Sequence, residues 1–185
     1  MFIQTEDTPN PATMKFLPGK PVMGAGTADF PDADGAERSP LARSLFQIAH
    51  VTGVFLGSDF VSVTKADSGD WQLMKPAVLG VIMEHFIGGR PVIEGEAAPD
   101  QEDAIDPADQ EVVSQIKELL DTRVRPAVAM DGGDITFKGY REGIVFLAMQ
   151  GACQGCPSST MTLKMGIENL LKHYVPQVLE VRPVM

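Results

Sequence analysis

Cys153 and Cys156 are the only cysteines of the chain, and Gln154 and Gly155 alone separate them. Among its residues they are the ones suited to soft-metal or redox chemistry. A thiolate is the nucleophile and the metal ligand. Two of them at C-x-x-C spacing form either a redox dithiol or half of a metal site. Iron–sulfur clusters and structural zinc usually take four thiolate or imidazole ligands. One chain supplies two, so a metal held here must be shared, most simply with a second copy of the chain.

The setting of the pair bears on that choice. The run Gly151-Ala152-Cys153-Gln154-Gly155-Cys156-Pro157-Ser158-Ser159-Thr160 reads as a tight loop between a strand and a helix that starts at Pro157. Unpaired N–H groups and the positive end of the helix dipole favour anions there, lowering thiol pKa and offsetting a thiolate-ligated cluster. Gly151 and Gly155 let backbone approach bulky sulfides. Ser158, Ser159 and Thr160 can cap the helix or donate to sulfur. The same geometry would suit a thioredoxin-like dithiol, yet no Trp precedes Cys153 and no β-α-β unit stands in front of the motif. Taken bare, the residues leave open a cluster, a redox dithiol and a shared zinc, in that order.

Other groups carry less. Gly19, Gly24 and Gly26 lack the strand-to-helix context of a phosphate loop. Asp131 and Asp134 flank two glycines and read as a turn rather than a cation site. His50, His85 and His173 have no ligand spacing and read as satisfied or surface histidines. Met130, Met149, Met161 and Met165 read as core and flank packing. Met161 and Met165, one turn apart, could also line a dimer contact.

The elements that must position the pair follow from periodicity. Val112, Val113, Ile116, Leu119, Leu120 and Val124 share one helix face, with Pro126 expected to stop that helix. Asp131–Asp134 then turns into a hairpin, Ile135 to Tyr140 and Ile144 to Met149. After the C-x-x-C, Leu163, Ile167, Leu170, Leu171 and Tyr174 mark the inner face of a helix, and a strand near Val178–Val181 closes an α-β-β-α-β order. Upstream, Ile3 and Met14–Leu17 read as strands around the turn Thr8-Pro9-Asn10-Pro11. Ser39 with Pro40 reads as the start of a helix carrying Leu41, Leu45, Ile48 and Ala49. Gly53–Leu56 and Phe60–Thr64 form a hairpin. Pro76 is expected to open a helix with Val78, Leu79, Ile82, Phe86 and Ile87 inward, ended by Gly88-Gly89. The fold class is α+β: two small domains, 1–93 and 112–185, joined by an acidic, flexible linker, 94–111.

Charge supports that division. The net charge is −10, and residues 94–111 hold eight carboxylates with no Lys or Arg. Such a run is a self-repelling, solvated segment. Neither flanking domain then has the basic surplus a nucleic-acid binder needs. The longest apolar stretch, Ala77–Phe86, contains Glu84 and His85 and is too short to span a bilayer. Met1–Asp7 shows no basic flank and no apolar h-region, so neither a signal nor a transit peptide is expected there. The expected setting is a reducing compartment, the cytoplasm of a bacterial-type cell, with a mature organellar form left open.

These residues resemble a known family. Asp131-Gly132-Gly133-Asp134, the cysteine run, and Thr162-Leu163-Lys164-Met165-Gly166-Ile167-Glu168 resemble the C-terminal domain of NifU. Thr8–Pro11, Lys15–Gly19, Ser39–Ala42 and Val54–Phe60 resemble the N-terminal domain of Nfu-type proteins. The resemblance implies a non-enzymatic iron–sulfur scaffold or carrier. It implies one four-iron four-sulfur cluster per homodimer, with Cys153 and Cys156 as cofactor and metal ligands. It further implies receipt from an upstream assembly scaffold, delivery to apo client proteins, and an N-terminal domain for partner contact. Asp131–Asp134 belongs to the signature without a ligand role. Neither nucleic acid nor membrane is an expected partner.

Overall fold

The computed structural model of the chain describes residues 1–95, 104–153 and 157–184, the side chains of 157–160 excepted. It divides into two compact units, Met1–Ala98 and Pro99–Met185. Both mix helix and strand, which makes this a two-domain α+β protein.

In the first unit, β1 (Gln4–Asp7), β2 (Thr13–Leu17), β3 (Ala28–Phe30), β4 (Val51–Leu56) and β5 (Val61–Lys65) form one antiparallel sheet in the order β1-β2-β5-β4-β3. The turn before β2 closes as expected: Asn10 Oδ1 accepts from the Ala12 N–H and the Asn10 carbonyl from the Thr13 N–H. Helix α1 (Pro40–Phe46) is capped by Ser39, whose Oγ accepts from the Ala42 N–H at 3.1 Å and donates to the Val92 carbonyl at 2.7 Å. It ends before Ala49, which is exposed. Phe16, Val54, Leu56, Val61 and Val63 from the sheet pack with Leu41, Leu45, Val78 and Ile82 from the helices. Asp29, opposite Phe55 in the register, lies between inward Ala28 and Phe30. Burial pushes its carboxyl up to about 6.

Helix α2 (Trp71–Ile87) corrects the expected start at Pro76. Asp70 caps it, accepting from the Gln72 N–H at 2.8 Å. Pro76 is therefore interior and forgoes one intrahelical hydrogen bond. Val78 and Ile82 are fully buried, whereas Ile87, expected inward, lies 69% exposed at the helix end. Within the stretch read as a linker, the Glu94 N–H donates to the Arg38 carbonyl, and Ile105 packs on the core of the second unit. Residues 96–103 lie outside the described residues.

The second unit begins with α3 (Gln110–Leu119), a π-helical turn (Leu120–Val124) and α4 (Arg125–Met130). Pro126 does not stop the helix. It occupies the first turn of α4, where a missing N–H is tolerated, and the wide π turn precedes it. Strands β6 (Gly133–Arg141) and β7 (Ile144–Gly151) pair as an antiparallel hairpin from Gly133–Gly151 to Arg141–Ile144. Helix α5 (Pro157–Tyr174) crosses back to β8 (Glu180–Val184), parallel to β7, so the order is β6-β7-β8. A parallel neighbour requires such a crossover. The last strand starts two residues later than expected and extends to Val184, with Val178 buried ahead of it. Glu168 of α5 accepts from the Val181 N–H and pairs with Lys172 at 2.7 Å, tying helix to strand. Ile116, Leu120, Val124, Ile135, Leu147, Ile167, Leu171 and Val181 make the core. Tyr174, expected inward, is half exposed.

Candidate functional site

Strand β7 delivers the first cysteine. Its inward residues are Val145, Leu147 and Met149, and Cys153 keeps their odd-numbered parity beyond the strand end. Gly151 has φ +65, the left-handed region that favours glycine, and turns the chain out of the strand. The Ala152 N–H then donates to the Gly132 carbonyl at 3.2 Å. Cys153 is 7% exposed and belongs to the core cluster with Ile135, Met149 and Ile167. Cys153, read from the sequence as a loop residue, is thus also a core residue. Gln154, Gly155 and Cys156 lie outside the described residues, as do the side chains of Ser158, Ser159 and Thr160.

A seat for the sulfur is built by β6. A Cβ on Gly133 would fall 2.7 Å from Cys153 Sγ, 2.7 Å from the Gln150 carbonyl and 3.1 Å from the Cys153 nitrogen. The sulfur therefore rests against bare backbone, and any side chain at 133 would force the cysteine or the paired backbone to shift. This is the close approach that a glycine permits.

The neighbouring carboxylate is held by an arginine. Asp134 is 3% exposed, and Arg125 of α4 grips it with two prongs, Nε to Oδ1 at 2.9 Å and Nη2 to Oδ2 at 2.8 Å. Asp134 Oδ1 also accepts from the Ile135 N–H at 2.8 Å. Arg125 reaches Asp121 with Nη1 at 3.1 Å. These bonds, led by the one to Asp134, push the guanidinium pKa above its ordinary value, so it stays charged. Asp131 at the other end of the turn is exposed. The two carboxylates thus serve different surroundings rather than one cation. Among the described residues, no three His, Cys, Asp or Glu side chains gather where they could hold a metal ion.

The remaining candidates are dispersed. His50 is exposed, with Nδ1 3.1 Å from Ser68 Oγ, and His173 stacks edge-on against Tyr174. His85 is a correction: it is 1% exposed, and among the described residues neither ring nitrogen has a partner at full hydrogen-bond geometry, the Arg90 backbone being only a weak neighbour. Burial, aided by the charge of Arg90, pushes its pKa below the ordinary value. Met149 is buried, but Met130, Met161 and Met165 are exposed rather than packed into the core. Arg125 and the steric role of Gly133 were missed by the sequence reading. The paired glycines of Asp131–Asp134 were the only signal of the latter. None marked an arginine nine residues away as partner to Asp134.

A two-domain α+β protein with a cysteine seated at the strand-to-helix loop of its second domain is the class that fold and site define. Residues 3–89 match the family described as scaffold protein Nfu/NifU N terminal, and 116–182 match the NifU-like domain. The chain belongs to the Nfu/NifU family. It is 54% identical over 185 residues to the NFU1 iron-sulfur cluster scaffold homolog, mitochondrial, of Drosophila virilis, covering 100% of this chain and 62% of that protein. It is 53% identical over 181 residues to the NifU-like protein 4, mitochondrial, of Arabidopsis thaliana, covering 96% and 64%. The chain thus spans a little under two thirds of the length of these relatives. A solution structure of a NifU-like protein from Saccharomyces cerevisiae is a partial likeness, with 25% identity, TM-score 0.47, and coverage of 51% of this chain and 86% of that one.

The relatives' names overturn the cytoplasmic expectation and point to an organelle. That expectation leaned on Met1–Asp7, whose composition describes those seven residues and none beyond them. Among the described residues no helix is long and apolar enough to cross a membrane.

Proposed function

We propose that the chain is an iron–sulfur cluster carrier. Cys153 and Cys156 of two copies together hold a four-iron four-sulfur cluster as cargo and pass it to apoprotein acceptors. The observation that carries this reading is the seat of Cys153: a sulfur against bare glycine backbone, three residues before a cysteine that directly precedes the N-terminus of the 18-residue helix α5. The glycine lets the cysteine sulfur lie close against the strand, and the helix end favours the anionic charge of a thiolate-ligated cluster. The family match and the relatives named as cluster scaffolds support the same reading.

Ligand arithmetic supports a homodimer, since two thiolates per chain complete a four-thiolate set only in pairs. It also suits transfer. A cluster held by two short loops is open to attack, and acceptor thiolates can replace its ligands one at a time. The chain's part is to bind, orient and release, which is carriage rather than catalysis. The first domain (1–93) is assigned to contact with clients or with the upstream donor, and the segment 94–111 to joining the two domains.

Anaerobic reconstitution tests this, with iron, sulfide and zinc counted per chain and an absorption spectrum taken. About two iron and two sulfide per chain are expected, one cubane per two chains. Near half a zinc per chain with no visible chromophore would replace the reading with a zinc-bridged dimer. A metal-free protein that cycles between dithiol and disulfide would replace it with a redox module.

A further inference from the structure

We infer that Arg125 and Asp134 are a positioning pair for Cys153: their two-pronged ion pair holds the glycine seat on which the sulfur is oriented. The inference rests on the carrier reading for its purpose, and on geometry for its existence.

The connection runs through four links. Arg125 on α4 fixes Asp134 by two charge-assisted hydrogen bonds, and the Ile135 N–H fixes the same carboxylate from the strand side. Asp134 adjoins Gly133, which pairs with Gly151 at the open end of the hairpin. The Gly132 carbonyl accepts from Ala152, the residue before the cysteine. The Cys153 sulfur lies against the place a Gly133 Cβ would occupy. Freeing Asp134 frees the seat.

Two features argue that the pair is there for geometry. Asp134 is buried while Arg125 stays part exposed, and an ion pair so placed does more to fix one arrangement than to add stability. Bidentate guanidinium–carboxylate contact adds directional specificity that an ammonium lacks. The helical stretch also carries a π turn, Leu120–Val124, just ahead of the arginine, and one extra residue rotates all that follows by about 100°. That rotation contributes to bringing Arg125 onto the β6 edge strand.

The test is made on metal-free protein carrying Cys156→Ser, so that Cys153 is the sole thiol. Its alkylation by iodoacetamide is followed by mass spectrometry over a range of pH, and each protein is also unfolded in urea. The pH profile separates thiolate fraction from access. Arg125→Lys keeps the charge and loses the fork, and Asp134→Asn keeps the shape and loses the charge. We expect either to speed alkylation about tenfold at the high-pH plateau, the effect of losing one charge-assisted hydrogen bond. If the pair only stabilised the fold, its loss would raise the rate solely by the factor by which it raises the unfolded fraction. Rates at the Cys156→Ser value, or rates that track that factor in both variants, would overturn the inference. No cluster is present, so this result is independent of the carrier reading, which fails instead in the iron and sulfide count.

Discussion

Gly133→Ala is the smallest change that reaches the proposed site. The added methyl would sit 2.7 Å from Cys153 Sγ, 2.7 Å from the Gln150 carbonyl oxygen and 3.1 Å from the Cys153 nitrogen. Ordinary carbon contacts begin near 3.5 Å, so each neighbour must retreat by several tenths of an ångström to about one. Two of the three are backbone atoms of a paired strand and its loop, which yield poorly. Overpacking of this kind costs about 1–3 kcal/mol, and the backbone involvement places this case near the upper end. With a urea dependence of about 2 kcal/mol per molar, the unfolding midpoint of the second domain should fall by about 1–1.5 M. The cysteine is displaced from its seat, so reconstituted iron should drop well below the parent value. Gly166→Ala is the internal control. Nothing lies within 4 Å of its Cβ position, inside α5, so the same substitution should raise stability by about 0.5–1 kcal/mol. A Gly133→Ala protein with an unmoved midpoint and a full cluster would refute the steric account of the seat.

The cysteines should differ in what their loss does. Cys153→Ser and Cys156→Ser should each abolish stable cluster binding. Cys153→Ser should also lower apo stability by about 1–3 kcal/mol, because it puts a hydroxyl into an apolar core position, as urea titration of the apo proteins will read. Asp29 gives a pH dependence of unusual sign. Its folded carboxyl takes up its proton at about 6 and its unfolded one near 3.8, so stability from this group is greatest below the unfolded value and is lost as pH rises through 6. Asp29→Asn should therefore stabilise the first domain at pH 7.5, by at most about 3 kcal/mol, with the difference vanishing near pH 4. Equal gains at both pH values in urea titrations would show that the carboxyl is not perturbed as described.

Local signals were legible where one residue type settles the backbone. Ser39 before Pro40 marked the start of α1, and the apolar run Ile144–Met149, set off from Ile135–Tyr140 by a turn, marked β7 as the second strand of a hairpin. Where a residue supports two roles, tertiary context decided. Pro76 and Pro126 both look like helix boundaries, but Asp70 caps one helix earlier and the π turn carries the other through. Met161 and Met165 carry apolar side chains at helical spacing, yet they face away from the core that Ile167 and Leu171 enter. The cysteine pair was plain from composition alone. The seat at Gly133 was not, because it is made by strand pairing across the hairpin, and the Arg125–Asp134 bond crosses from a helix to a strand edge. Neither has a periodic signature.

Light scattering on an anaerobic sizing column, with iron measured across the same peak, bears most directly on the claim that two copies share one cluster. Apo protein at micromolar concentration is expected at the mass of one chain. Reconstituted protein is expected at the mass of two with four iron, returning to one on chelation, because a ligand that binds only the assembled state drives assembly. An iron-loaded peak at the mass of one chain would contradict the account, since Cys153 and Cys156 of two copies would not be sharing the cargo.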